Sequence, residues 1–337
     1  MSEAEAWAVS IVAAVVPTIV YVLILWWFDR YEKEPRRLLW TAFLWGAVPA
    51  IILSVIAEQV LGEPLANLSE QSAELMSSSV LAPLIEELAK GLAVFLLFLF
   101  FRREFDNVLD GIIYGATVGF GFAMTENVFY FMDSFQQGGL ESLGTLALMR
   151  GVVFGLNHAL FTSFFGAALG YARMSRRGLR RWIAAPLGLL GAMLLHGIHN
   201  LFAGLSDTVC FGLLISIASD WGGVLVILAV IFLSARQEKQ WITAYLKPEV
   251  DSGLITQQDY DMISSYRRRQ AALWRARFQL NRGEVRRVDR LTQLATDLAF
   301  KVHQGDVQVA EKLRQQIAGL SGVTPSTPLG GPPQAVV

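Results

Sequence analysis

The chain has 337 residues, 28 Lys and Arg against 29 Asp and Glu, 53% hydrophobic residues and only 17% charged ones. Soluble domains carry about 25% charged residues, so this deficit, with a mean hydropathy of +0.43, excludes an ordinary water-soluble globule. The balanced charge singles out no partner, and the single cysteine, Cys210, excludes disulfides and thiolate metal sites as organising features.

Glu3 and Glu5 stand where a cleavable signal peptide would carry basic residues, so the first apolar run is expected to be retained. Seven stretches are long enough to cross a hydrocarbon core of about 30 Å as helices. They lie at 7–28, 38–61, 80–101, 108–132, 146–171, 182–205 and 209–234. Lipid offers no partner for unpaired backbone groups, and the alternation of a β-barrel is absent, so the expected fold is an all-α membrane bundle.

The connections orient it. Arg30, Lys33, Arg36 and Arg37 follow the first span, and Arg102 and Arg103 follow the third. Arg173, Arg176, Arg177, Arg180 and Arg181 follow the fifth, and Arg236 and Lys239 the seventh. The intervening connections 62–79, 133–145 and 206–208 hold no Lys or Arg. The positive-inside rule then puts the N-terminus outside a cell (inner) membrane and the C-terminus in the cytoplasm.

Three regions follow: a membrane domain at 1–235, a polar cytoplasmic helical extension at 236–320, and a disordered Pro-, Gly- and Ser/Thr-rich tail at 321–337. Nine arginines crowd the extension between Arg267 and Arg290. That cluster suits a solvated cytoplasmic hairpin beside an anionic leaflet, with docking of a partner or of anionic lipid as the alternative; no nucleic-acid module is recognisable.

Ionisable groups inside spans are costly and usually functional. The third span holds Glu86, Glu87 and Lys90, the fourth Glu126 and Asn127, the fifth Asn157 and His158, and the sixth His196, His199 and Asn200. At 1.5 Å per residue, Glu86 and Glu126 each lie about six residues, roughly 9 Å, from the outer end of their spans. His196 and His199 lie about nine and six residues from theirs, and His158 about eight inward of Arg150, which can snorkel to the outer interface. Four helices therefore offer acid, base and amide groups in one layer.

Lys90 is three residues from Glu87 and four from Glu86, so it can pair with either. The two glutamates differ by about 100° around the helix, so one can be a structural pair while the other faces a cavity. Gly111, Gly115 and Gly119 form a small-xxx-small seam for close helix packing. A carboxylate with a histidine can deprotonate water, and a second histidine with an amide can stabilise an oxyanion. The same side chains are zinc ligands, although no His-Glu-x-x-His run is present. Buried Glu and His chains also build proton relays, which makes a proton- or cation-coupled transporter the alternative reading.

Glu86-Glu87-Leu88-Ala89-Lys90, the run from Phe120 to Asn127 and His196-Gly197-Ile198-His199-Asn200 together resemble the PrsW family of bacterial membrane proteases. That family is distantly similar to the CAAX-processing and bacteriocin-processing membrane proteases. Their Glu-Glu-x-x-x-Arg element is matched here with a Lys one residue early; Phe154 to His158 and His196 to Asn200 fit the other two. The resemblance implies intramembrane hydrolysis of a peptide bond in a membrane-anchored, anti-sigma-factor-like protein. It implies Glu86 as base, His158 as helper, and His196 and Asn200 as oxyanion site. Glu126 and His199 belong to the PrsW-like pattern alone, with Glu87, Lys90 and Asn127 supporting. Glutamate-activated water needs no cofactor; the family's usual classing among metalloproteases makes zinc on Glu86, His158, His196 and His199 the alternative.

Overall fold

A computed structural model describes residues 2–29, 33–175, 178–206, 209 and 211–321. These form helices and no strand, as the composition predicts. In chain order the helices are α1 (Glu3–Phe28), α2 (Arg36–Trp45), α3 (Ile51–Gly62), α4 (Glu70–Met76), α5 (Ala82–Phe100), α6 (Val108–Leu148) and α7 (Asn157–Met174). They continue as α8 (Leu179–Gly204), α9 (Gly212–Asp251), α10 (Gln257–Ile263), α11 (Tyr266–Phe278), α12 (Arg282–Gln304) and α13 (Val307–Ser321). Single π-helical turns at Gly46–Ala50, Ser77–Leu81 and Met149–Val153 interrupt the longer runs. Of the expected tail at 321–337, Ser321 ends α13 and the rest lies outside the described residues, as does most of the short connection 206–208.

Two compact units divide the chain near Phe232/Leu233. The first is the apolar bundle of α1 to α8 with the start of α9. Its surface is studded with exposed Val, Ile, Leu and Phe, such as Val12, Leu23, Ile56 and Leu225. In water such a surface would be a large penalty; against lipid tails it is the matched one. α5 shows the inversion within one helix. Glu86, Glu87 and Lys90 are buried, while Leu84, Leu88, Leu92 and Phe95 are exposed at helical spacing.

Among the described residues five segments are long and apolar enough to cross a membrane, where the sequence leads one to expect seven spans. The third expected span is α5, a 19-residue helix that carries those three ionisable side chains. The fourth and fifth fall together in the helical stretch Val108–Met174. The expected connection at 133–145 is itself helical, because α6 runs on to Leu148 and turns only at Gly139, whose φ of 69° few other residues adopt.

α6 is the central post. A Cβ on Gly115 would sit 2.6 Å from the Thr162 carbonyl oxygen, and one on Gly119 would collide with the His158 carbonyl. The glycine seam thus seats α7 backbone-to-backbone on α6, which delivers His158 beside Phe122.

The second unit runs from Leu233 onward. Its core is made by Ile242, Leu246, Leu291, Ala295, Leu298 and Ile317 with their neighbours. The buried positions Val288, Leu291, Ala295 and Leu298 recur along α12 at the spacing of one helical face. Gly305, at φ 78°, closes α12 as a left-handed cap. Arg314 on α13 meets buried Glu249 at 2.6 Å, and that hydrogen-bonded carboxylate raises the guanidinium pKa above its ordinary value.

Candidate functional site

The polar layer expected from the sequence is assembled around a cavity of about 1010 Å³ in the first unit. Glu86, Glu126, Asn127, His158, His196, His199 and Asn200 all line it. Each is held there by a specific local device.

On α5 the two glutamates take different tasks. Glu87 is buried; its carboxylate lies 2.6 Å from Lys90 Nζ, accepts from Thr162 Oγ1 at 3.0 Å, and meets His196 Nδ1 at 3.0 Å. It is fully committed. Glu86 faces the cavity, with Lys90 3.3 Å away. Its Oε2 lies 3.9 Å from both His158 Nδ1 and His196 Nε2. The two imidazoles stand nearly perpendicular with ring centres 5.0 Å apart, and Phe161 stacks on His196.

Lys90 Nζ also lies 3.0 Å from His158 Nδ1. A lysine ammonium can only donate, so Nδ1 is the acceptor and Nε2 carries the proton. That Nε2 points at Glu126 Oε2, 2.9 Å away. Each catalytic-layer histidine therefore has a carboxylate on one nitrogen and Glu86 near the other. Such pairing fixes tautomer and ring orientation in metal sites.

Arg150 takes a place in the site that the sequence did not indicate. It folds back to Glu126 at 2.5 Å and donates to Asn127 Oδ1 at 2.7 Å, with its guanidinium over the Tyr130 ring. The π turn at Met149–Val153 brings it there. The partly buried ion pair with Glu126 and the hydrogen bond to Asn127 fix the guanidinium in one orientation.

His199 also departs from expectation. It shares a face with His196, but its Nδ1 is taken by Asp220 at 2.7 Å and Ser216 at 2.7 Å, with Asn157 Nδ2 at 3.1 Å. The ligand set that converges, within 4.8 Å, is Glu86, His158 and His196, without His199. Asn200 lines the cavity, but one amide N–H is spent on the Ser78 carbonyl at 2.8 Å. That carbonyl belongs to the π turn before Pro83, where the helical ladder lacks a donor.

Asp220, Glu58 and Arg150 were not singled out for the site by the sequence reading. Glu58 lines the cavity from α3. Asp220 and Glu58 are each the lone carboxylate in their expected span, and that was the available signal.

These donors fit a divalent ion. Glu and His are zinc ligands and three protein ligands leave an open position, and here the carboxylate oxygen lies 3.9 Å from one nitrogen of each histidine. Carboxylates on the far nitrogens complete the pattern of a supported site.

Comparison with known proteins gives the same direction. Residues 34–235 match the model described as PrsW family intramembrane metalloprotease. Protease PrsW of Geobacillus kaustophilus is 30% identical over 193 residues, covering 56% of this chain and 76% of that protein. Protease PrsW of Bacillus subtilis is 28% identical over 217 residues, 63% of this chain and 91% of that one. Protease PrsW of Clostridioides difficile is 28% identical over 221 residues, 65% and 84% respectively. No solved structure matches the chain.

Proposed function

The chain belongs to the PrsW family of intramembrane metalloproteases, and from that premise we propose that Glu86, His158 and His196 form its hydrolytic centre and hold a zinc-like divalent ion. As a multi-pass membrane peptidase it acts on a membrane protein in the bilayer. The observation that carries the assignment is Glu86 Oε2 at 3.9 Å from each histidine, with all three donors on the cavity wall.

When bound, zinc supplies a water of lowered pKa and polarises the scissile carbonyl. The protein's own groups do the rest. Glu87 keeps His196 Nε2 turned towards Glu86. Glu126 holds the proton of His158 Nε2 and, tethered by Arg150, stands on the cavity wall within reach of a proton leaving water. The second N–H of Asn200 remains to donate to an oxyanion.

The substrate in this reading is a membrane-anchored, anti-sigma-factor-like protein, cleaved near the outer leaflet. The arginines of alternate connections support an N-terminus outside and a C-terminus in the cytoplasm. Nothing in the family relationship supports the transporter alternative.

One observation favours a metal-free variant of this chemistry. Lys90 Nζ, 3.0 Å from His158 Nδ1 and 3.3 Å from Glu86, already places a cation beside the same donors. Glu86 would then activate water directly. Metal analysis of purified full-length protein, with cleavage of a membrane-anchored reporter under chelation, separates the two. We expect about one bound divalent ion per chain, activity lost on chelation and restored by zinc, and no cleavage by Glu86→Gln. Full activity without metal selects the variant; cleavage retained in Glu86→Gln overturns both.

A further inference from the structure

The second unit carries a face that its own core does not use. On α11 the side chains of Leu273 and Ala276 turn inward, whereas Trp274 is 56% exposed and Phe278 80% exposed. The two rings lie one turn apart, with centres 5.7 Å from each other. Just beyond, in the turn to α12, Leu280 is 87% exposed. Its φ is +52°, a left-handed conformation that costs a leucine more than the glycine or asparagine usual at such a turn. An unfavourable backbone thus presents an apolar side chain to the outside.

The surroundings of this stripe are uniformly basic. Between Tyr266 and Arg290 there are nine arginines against two carboxylates, Glu284 and Asp289. Arg275 and Arg277 flank the ring pair on the helix, and Arg282 follows Leu280; all three are exposed and have no ion-pair partner among the described residues. Arg268 and Arg287, by contrast, are already engaged by Asp261 and by Asp259 with Glu284.

We propose that Trp274, Phe278 and Leu280, framed by Arg275, Arg277 and Arg282, dock on an anionic lipid surface. Large aromatics with leucine on one face and arginines at its border are the composition of helices that lie in the headgroup region. The aromatic rings favour the boundary between water and acyl chain, and the guanidiniums meet lipid phosphates, whose attraction is screened by salt. The chain also supplies the membrane: in sequence this unit directly follows an apolar stretch long enough to span. No nucleic-acid module accompanies the arginines, and an acidic protein partner is the competing occupant that the test must separate.

The test uses the full-length protein with Cys210→Ser and Gln279→Cys, labelled at the new cysteine with a polarity-sensitive fluorophore. It is reconstituted into nanodiscs of phosphatidylcholine alone or containing phosphatidylglycerol. The expected result is a blue-shifted emission, quenched severalfold more strongly by headgroup-region spin-labelled lipid in the anionic discs, and weakened by high salt. Arg275→Glu with Arg277→Glu and Arg282→Glu brings the quenching down to the phosphatidylcholine level with an unchanged melting temperature. Equal emission and quenching in both lipids overturns the proposal. So does protection that arises only when soluble cytosolic protein is added, which assigns the face to a protein partner.

Discussion

His196 Nδ1 lies 3.0 Å from the carboxylate of Glu87, and that contact separates two adjacent glutamates into one that supports and one that faces the cavity. With Lys90 and Thr162 on the same carboxylate, Glu87 has no capacity left for substrate. Glu87→Gln is therefore expected to behave as a structural lesion. It leaves Lys90 in a dry site without its nearest counter-charge, at a cost of about 3–5 kcal/mol. Glu86→Gln should instead leave the melting temperature in detergent nearly unchanged while cleavage stops. Equal destabilisation by the two substitutions would contradict this division of labour.

Arg150 ties Glu126 and Asn127 together and so fixes the acceptor of the His158 proton. Arg150→Ala should lower cleavage about 10–100-fold, the scale of support lost around a metal site, without loss of the protein from the membrane. Arg150→Lys should restore only part of it, since a lysine cannot bridge both oxygens with the guanidinium fork. Wild-type turnover in Arg150→Ala would remove Arg150 from the site.

Gly119 sets the distance between α6 and α7 at the level of His158. A methyl group there meets the His158 carbonyl oxygen, backbone against backbone, where no rotamer change can relieve it. Gly119→Ala should cost about 1–3 kcal/mol and shift His158 away from Glu86. Gly144→Ala, at a position with open space around it, is the control and should be silent in both melting and cleavage.

His199, on the wall of the cavity, and Asp220 form a third carboxylate–imidazole pair, 2.7 Å apart. If that pair handles a proton for the departing amine, His199→Ala and Asp220→Asn should each lower cleavage by about 100-fold. The double variant should be no worse than either, because the two residues act as one unit. Metal content should be unchanged in all three, since His199 stands outside the converging ligand set. Additive losses would show that they serve separate tasks.

How much of this was legible in the sequence depends on the kind of information a helix carries. Glu86, Glu126, His158 and His196 were found because an ionisable group inside an apolar run has few reasons to be there except function. Their common depth followed from rise per residue alone. The Gly111–Gly115–Gly119 seam was legible for a similar reason, since glycine spaced by one turn has little other use in a span. Asp220 and Glu58 carry the same signal, but each stands alone in its span, so the sequence does not group them with the others.

What the sequence determined by itself, then, was a helical membrane chain, its family, and a set of polar side chains that proves to line one cavity. Composition and 1.5 Å rise are properties of each segment taken alone, and they need no partner to be read. The tertiary structure decided which glutamate faces the cavity, that Arg150 turns inward, and that His199 answers to Asp220 rather than to Glu86. Those outcomes depend on how each helix is rotated against its neighbours. Glycine contacts, three π turns and the bend at Gly139 set that rotation, through packing between segments that no single segment encodes.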